Sequence, residues 1–293
     1  MMSERRLTAV PSRHSRRRMR WLYRLRWRIL ETLDSFGFVL GFIVQVFASI
    51  PLTLRRYRSQ TMSTITDLTW GRGSVIVGGG TVPVLVVLGI AMGVGTAIQS
   101  FAALDMLGLG PLTGIVSAFA NTRELAPIAA AVGFAAQAGG RMTAEIGSMR
   151  ISEEVDAIEA LALRSVPFVV TTRLIAGIVT IVPCFVVALL LSYTSASALV
   201  LILHGQSSGV YNHYFYQLLN GWDIFAAAAK VLVFIIAVIL IHCYQGFFAT
   251  GGPEGVGIAS GRAVRASFIV IITLDMVLSI VFWGINSPIA FPG

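Results

Sequence analysis

The chain has 293 residues, of which 56% are apolar and only 12% carry a charge. Soluble domains have roughly a quarter charged residues, so this composition excludes both a soluble globular protein and a disordered chain. The mean hydropathy of +0.80 agrees. Because a bilayer-spanning helix needs about 20 apolar residues, the chain has room for about five or six spans. The sequence therefore predicts an all-α integral membrane protein.

The positive charge is concentrated at the N-terminus. Residues 1–60 hold 13 of the 22 Lys and Arg residues, and ten of these are arginines in residues 1–28. Aromatic residues are interleaved with the arginines, a mixture typical of a segment that contacts anionic lipid headgroups. No small-residue cleavage site follows, so we interpret residues 1–28 as a basic cytoplasmic arm and not as a signal peptide.

Residues 29–60 contain a charge-free stretch, 35–54, between two clusters of arginine. A true span would place one cluster outside, against the preference of basic residues for the cytoplasmic side. We therefore predict an interfacial or re-entrant helix in this region, which precedes the membrane domain proper.

Residues 73–285 are predicted to form a membrane domain of five helices. The predicted spans are 81–104, 112–140, 165–193, 223–248 and 266–285. The Lys and Arg residues outside the spans lie almost all in the N-terminal part, in the loop 141–164 and in the glycine-rich loop 250–265, whereas the polar-aromatic segment 195–222 has none. This distribution predicts a cytoplasmic N-terminus, an outer segment 195–222 and an outer C-terminus.

The loop 141–164 is long and carries both signs of charge. Ser152 can cap a helix whose first turn holds Glu153 and Glu154. Apolar residues recur there at helical spacing, at Ile151, Val155, Ile158 and Ala162. The pattern predicts a short amphipathic helix outside the membrane, either a docking element or a solvated loop helix without a partner.

Charged residues also occur inside the predicted spans, where they are costly. Arg123 and Glu124 interrupt the second span, and adjacent residues on a helix face different directions, so each should find its own partner. A structural and a functional role for this pair are equally open. Lys230, in the fourth span, is expected to snorkel towards the outer end, and Asp275 lies in the fifth.

Several kinds of chemistry have no sequence signal. The chain contains no P-loop motif, so it is not expected to bind ATP by itself. Its four histidines and two cysteines show no metal-ligand spacing, and no cofactor, metal or enzymatic activity is predicted. An ion-coupled secondary transporter remains an alternative because of Asp275. We favour a membrane subunit whose amphipathic loop helix docks on an energy-supplying partner.

Two long motif regions resemble the MlaE/YrbE permease family. The first combines Asn121–Pro127 with Ala144–Glu159, and the second combines His242–Gly246, Gly251–Gly257 and Gly261–Arg265. The outer segment looks most like the B-type YrbE of actinobacterial Mce systems. The resemblance covers residues from about 30 to 285 and leaves out the basic arm.

The resemblance implies an MlaE-type fold and a role as the permease subunit of an ABC-type lipid transporter in the bacterial plasma membrane. Implied partners are a cytoplasmic P-loop ATPase, a second YrbE-type permease in a heterodimer, and MCE lipid-binding subunits. Fatty or mycolic acids, phospholipids and sterols are the implied cargo. Arg123 and Glu124 match a charged pair near the lipid path, although Thr122 stands where relatives often have an apolar residue. The implied ATPase-coupling residues are Arg150, Glu153, Glu154, Asp156 and Glu159.

Overall fold

The computed structural model describes residues 37–71 and 79–284, which are helical almost throughout. The predicted basic arm, the first residues of the 29–60 segment, residues 72–78 and the chain from 285 onward lie outside the described residues. Gly71 and Gly79 face each other in an antiparallel bridge across the gap.

The first described helices are short. Helix α1, Gly37–Ala48, is followed by α2, Ile50–Arg56, after a bend of 41°. Length and composition allow this bent pair to be a re-entrant element or one broken span. Pro51 stands in the first turn of α2, where its missing N–H leaves no hydrogen bond unmade. Helix α3 is Arg58–Trp70.

Four helices are long and apolar enough to cross a membrane. They are α4, Thr81–Asp105; α9, Thr172–Leu203, which continues a π-helical turn, Val166–Thr171; α11, Gly221–Phe247; and α12, Gly252–Ser279, which ends in a π-helical turn, Ile280–Gly284. With the bent pair, the described residues offer up to five spans by length and composition. The predicted all-helical membrane fold is confirmed.

The predicted second span lies in a helical run broken by π turns. The run consists of α5, Thr113–Ala120; a π turn, Asn121–Leu125; α6, Ala126–Phe134; a second π turn, Ala135–Gly139; and α7, Gly140–Ile151. Polar side chains such as Arg123 and Glu124 lower its hydropathy, so it is not one of the four apolar helices. A π turn inserts an extra residue, and such turns often mark functional sites.

Two helices extend beyond the bounds that the sequence predicted for the adjoining spans. Helix α9 runs ten residues past the predicted end at 193, because Ala196 and Val200 are buried in a core cluster with Tyr211 and Phe215. Of the predicted outer segment 195–222, residues 204–222 therefore follow α9, and they include α10, Ser208–Leu218.

The glycine-rich loop 250–265 is also mostly helical, since α12 begins at Gly252. Gly251 has a φ of 93°, a left-handed conformation that suits glycine, and Pro253 fits the first helical turn. Ala259 and Ala263 are fully buried. The glycine content of this segment predicted a loop. The segment is a helix because Pro253 fits the first turn and because Ala259 and Ala263 are buried.

Helices α4 and α9 pack closely along small residues. A Cβ atom at Gly89 would lie 2.5 Å from the carbonyl oxygen of Ala188, and one at Gly93 would overlap the carbonyl oxygen of Ser192. Close backbone approach of this kind stabilises helix pairs within membranes. At Gly95, by contrast, a Cβ would meet no atom within 4 Å. The two sides of α4 therefore differ, one packed and one open.

Candidate functional site

Five charged side chains from three helical segments meet near the N-terminal end of α11 and the C-terminal end of α12. We call this group the charged network. Its members are Arg123 and Glu124 on the first π turn, Asp223 and Lys230 on α11, and Asp275 on α12. Ion pairs inside a membrane bundle are costly to build and are usually functional.

Arg123 forms one half of the charged network. Its Nη2 atom lies 3.0 Å from Oδ2 of Asp223, whose side chain is only 8% exposed. The guanidinium carbon stands 4.4 Å from the ring centre of Phe119 and 5.1 Å from that of Trp283. The indole Nε1 of Trp283 donates to Oδ1 of Asp223 at 2.7 Å. Ion pair and aromatic faces together hold the guanidinium in place.

Lys230 forms the other half and is completely buried. Its Nζ donates to the carbonyl oxygen of Arg123 at 2.8 Å, to Oε2 of Glu124 at 3.2 Å and to Oγ of Ser279 at 2.9 Å. The Oδ1 atom of Asp275 lies 2.6 Å from the same nitrogen. Ser279 in turn donates to Oε1 of Glu124 at 2.8 Å. One ammonium group thus binds three helical segments together.

The structure corrects one expectation here and confirms another. Lys230 does not snorkel, because two carboxylates inside the bundle compensate its charge better than a stretched side chain could. Arg123 and Glu124 do take different partners, Asp223 and Lys230.

A cavity lies between α4 and the helical run that carries the network. It has a volume of about 410 Å³. Its wall consists of Ala91, Met92, Gly95, Thr96, Gln99, Ser100, Val116, Ala120 and Leu125. Leu125 follows Glu124 directly, so the wall and the network share one π turn. The lining is mainly apolar with a few uncharged polar groups, a typical composition for a small-molecule site.

The predicted amphipathic helix exists as α8, Glu154–Ala160, but its start differs from the prediction. Ser152 ends α7 and donates its hydroxyl proton to Glu154 at 3.0 Å, so it does not cap α8. Glu153 takes that position with a left-handed φ of 60°. The tight reversal between α7 and α8 requires this conformation, which the capping pattern does not reveal.

The acidic side of α8 faces outward. Glu153, Glu154, Asp156 and Glu159 are all exposed, whereas Val155 is fully buried. Arg150 pairs with Asp156 at 2.6 Å, and Glu159 accepts a hydrogen bond from Ser165. These residues are far from the charged network in the helical run, since α6 and α7 separate them. The residues predicted for the lipid path and those predicted for ATPase coupling therefore lie in separate parts of the chain.

Helix α7 is anchored to its neighbours. Arg173 on α9 lies 3.3 Å from Glu145, which also pairs with Arg141. Thr143 hydrogen-bonds His242 of α11 through Nδ1 at 2.8 Å. A movement of α8 would consequently reach α9 and α11 through α7.

Sequence reasoning missed three members of the site's contacts, Asp223, Ser279 and Trp283. In the sequence analysis, Asp223 served only as the start of the fourth span. Its position two turns before Lys230 places both side chains on one helix face, and this spacing could have indicated a shared charged site. Among the described residues, no group of three or more His, Cys, Asp or Glu side chains could hold a metal ion.

Long apolar helices around an ion-paired network and an uncharged cavity define a multi-pass membrane protein of the permease class. The MlaE permease family model matches residues 70–281, which is most of the chain. The chain belongs to this family and is an ABC transporter permease of the MlaE type, not an ATPase.

Relatives cover several lineages. The chloroplast protein TRIGALACTOSYLDIACYLGLYCEROL 1 of Arabidopsis thaliana is 31% identical over 196 residues, which are 66% of this chain and 55% of that protein. A probable ABC transporter permease protein of Rickettsia bellii is 28% identical over 70% of this chain and 79% of its own length. The intermembrane phospholipid transport system permease protein MlaE of Haemophilus influenzae is 25% identical over 69% and 77% respectively. The chain thus spans about half of the Arabidopsis relative and over three quarters of the bacterial ones.

Proposed function

We propose that this chain is the membrane subunit of an ATP-driven lipid transporter. Its cargo would be phospholipids or similar lipids that have a polar headgroup and an apolar tail. The observation that carries the proposal is the uncharged cavity of about 410 Å³ beside the charged network. The name of the Haemophilus influenzae relative, a phospholipid transport permease, supports this choice of cargo.

The cavity suits the apolar part of a lipid. Ala91, Gly95, Val116, Ala120 and Leu125 offer a smooth apolar wall for an acyl chain. The hydrophobic effect would stabilise each buried methylene by about 0.8 kcal/mol. Apolar walls distinguish poorly among fatty acids, mycolic acids, phospholipids and sterols.

A headgroup would contact the polar side of the same region. Thr96 donates a hydrogen bond to Asn121 at 2.8 Å, and the Ser100 hydroxyl donates to the backbone of its own helix, so the exposed amide of Gln99 is the group of this wall left for ester or glycerol oxygens. The buried Nε of Arg123 has no acceptor among the described residues. This unused donor supports a role for Arg123 and Glu124 at the lipid path.

Energy would come from a partner ATPase that binds α8. Its exposed carboxylates are complementary to a basic surface, and we propose Arg150, Glu153, Glu154, Asp156 and Glu159 as the coupling residues. ATP-driven closure of the ATPase would shift α8 and α7, and with them the helices of the network. Transport follows only if the lipid binds the two resulting conformations with different affinities.

We propose the finer assignment on resemblance alone. The chain would be a B-type YrbE permease of an actinobacterial Mce system, paired with an A-type permease and with MCE lipid-binding subunits on the outer side. The N-terminus and α8 would face the cytoplasm of a bacterium, with five spans in the plasma membrane and the C-terminus outside, as the distribution of basic residues supports.

Transfer of a fluorescent phospholipid by the assembled transporter in proteoliposomes tests the proposal. Gly95→Phe should place its ring in the cavity, because Gly95 lines the cavity and a Cβ there meets no atom within 4 Å. We expect transfer to fall by about tenfold or more, equivalent to ~1.4 kcal/mol, while assembly with the ATPase persists. Gly209→Phe on α10 is the control, because its surroundings are equally open.

Wild-type transfer by the Gly95→Phe protein would remove the cavity from the lipid path. Transfer that needs an ion gradient and no ATP would instead support the ion-coupled alternative.

A further inference from the structure

A second pocket lies between α9 and α10. It has a volume of about 340 Å³, which falls within the range of roughly 300–1,000 Å³ that is usual for small-molecule sites. It shares no wall residue with the cavity beside the charged network. We call it the aromatic pocket, because tyrosine and phenylalanine side chains from both helices line it.

Small side chains on α9 form one wall of the aromatic pocket. Thr194, Ser197 and Ala198 stand three and four residues apart, so they share one face of the helix. Their short side chains leave the space that the pocket occupies. Ala198 is exposed, and a bulky side chain at this position would fill the pocket.

Aromatic side chains on α10 form the other wall. Tyr211 and Phe215 are only 2% and 6% exposed, and their rings stack with centres 6.0 Å apart. Gly114 on α5 permits this packing, since a Cβ there would lie 2.6 Å from the carbonyl oxygen of Tyr211. The ring of Tyr193 meets Phe215 edge-on at 5.0 Å. Packing within the protein therefore fixes the aromatic wall before any ligand binds.

Three uncharged hydrogen-bonding groups of the wall are free. They are the hydroxyls of Ser197 and Tyr216 and the amide of Asn212, which form no side-chain hydrogen bond with any residue that the structure describes. The hydroxyls of Tyr193 and Thr194 are already engaged, the first with the first π turn and the second with the backbone of α9. The free groups lie on both helices, and each can donate as well as accept a hydrogen bond.

The wall of the aromatic pocket carries no charge. Residues 174–222 include all of α10 and nearly all of α9, and they contain no Lys, Arg, Asp or Glu. A charged headgroup would lose hydration on entering the pocket and would gain no counter-charge. An acyl chain would cover the three free polar groups without giving them partners, which is also unfavourable.

We propose that the aromatic pocket binds a neutral sugar group, either the headgroup of a glycolipid or a free sugar. Sugar hydroxyls donate and accept hydrogen bonds, as Ser197, Asn212 and Tyr216 do. The C–H face of a sugar ring packs on aromatic side chains by dispersion. A sugar carries no charge, so its entry leaves no ion without a partner.

Photo-cross-linking of the full chain in phosphatidylcholine nanodiscs tests this site. The probe is a glucosyl diacylglycerol with a photoreactive diazirine on the sugar, and peptide mass spectrometry locates the cross-links. Cross-links should concentrate in residues 193–201 and 211–216. An excess of unlabelled glucosyl diacylglycerol should abolish them, whereas the same excess of phosphatidylglycerol should not. Equal competition by free glucose would identify a soluble sugar as the ligand, and competition by the lipid alone would identify a glycolipid.

Two variants probe the two walls. Ala198→Trp should fill the pocket and lower competable cross-linking by about tenfold or more. Ile202→Trp is its control, because Ile202 is 79% exposed on the same helix and lies outside the wall. Asn212→Ala changes an exposed position, which spares the core, and should weaken binding by about fivefold through the loss of one hydrogen bond. Gln217→Ala, also exposed on α10, is the matching control.

Cross-links that unlabelled glucosyl lipid does not reduce, or that phosphatidylglycerol reduces equally, would overturn the proposal. Wild-type cross-linking in both Ala198→Trp and Asn212→Ala would also overturn it, because the sugar would then bind elsewhere. The measurement needs neither ATP nor transport, so its result is independent of the test of the proposed function.

Discussion

The charged network and helix α8 use the same residue types in opposite ways. In the network, Lys230 is completely buried and every carboxylate has a basic or hydroxyl neighbour. At α8, Asp156 forms an ion pair with Arg150 at the end of α7, and the two side chains are 58% and 39% exposed. The neighbouring carboxylates Glu153 and Glu154 are exposed to solvent. Burial strengthens the ion pairs of the charged network, whereas solvent screening weakens the exposed ion pair at α8.

The difference suggests a division of labour. Groups whose loss leaves a buried charge unpaired hold helices together and can store a conformational state. Groups that are exposed and mutually weakly bound remain available to a partner. Experiments should therefore separate effects on stability, expected at the network, from effects on partner binding, expected at α8.

Lys230→Met should have the largest effect. It leaves Asp275, which is 13% exposed, and the partly exposed Glu124 without their cation. Breaking a buried pair costs about 3–5 kcal/mol, and solvent screening makes the share of Glu124 the smaller one. Thermal unfolding of the detergent-purified protein measures the loss. The triple variant with Lys230→Met, Glu124→Gln and Asp275→Asn removes all three charges and should regain most of the stability. A single variant as stable as the wild type would contradict the ion-pair account.

Gly93→Ala should have an intermediate effect, and it tests the close packing of α4 against α9. The added methyl group would overlap the Ser192 backbone, so α4 and α9 must separate, at a cost of about 1–3 kcal/mol. Gly95→Ala is the matched control on the open side of α4 and should change stability by less than about 0.5 kcal/mol. Equal unfolding temperatures for the two variants would show that the close approach of these helices contributes nothing.

Reversing Glu153 and Glu154 to Lys should leave stability nearly unchanged and weaken binding of the co-purifying ATPase by at least about tenfold, or ~1.4 kcal/mol. The reason is that these exposed carboxylates meet no basic partner within α8. Surface-immobilised permease titrated with purified ATPase gives the affinity. Asp105→Lys, a reversal at the far end of α4, is the control. Undiminished affinity of the double variant would refute the coupling assignment.

Asp156→Asn should have the smallest effect. It removes the exposed pair with Arg150, and such surface pairs contribute about 0.2–1 kcal/mol. Chemical denaturation in low and high salt measures the change, which should vanish in high salt because mobile ions screen the pair. A salt-independent loss of several kcal/mol would place Asp156 with the buried network instead.

Sequence alone predicted the helical membrane class and most of the long helices, because apolar length is a local property. It also placed Arg123 and Glu124 on one element with separate partners, which follows from helix geometry. The acidic helix was found by its period, although Ser152 did not cap it.

The features that the sequence did not predict depend on contacts between segments that are distant in the chain. Nothing near Lys230 shows that Glu124 and Asp275 lie beside it, since these residues are 106 and 45 positions away in the chain. Likewise, α9 continues past 193 because Ala196 is buried in one cluster with Tyr211, and α12 begins at Gly252 because Val256 packs against Gly147 of α7. The π turns, which aim the network residues, leave no period in the sequence that distinguishes them from an ordinary helix.

Native mass spectrometry of the transporter released from mild detergent tests the central claim, that this chain is the membrane half of an ATP-driven lipid transporter. The account predicts a complex of two permease chains with a P-loop ATPase, carrying a bound lipid that ATP hydrolysis displaces. A folded chain that is detected only as a monomer, without ATPase and without bound lipid, would contradict the account.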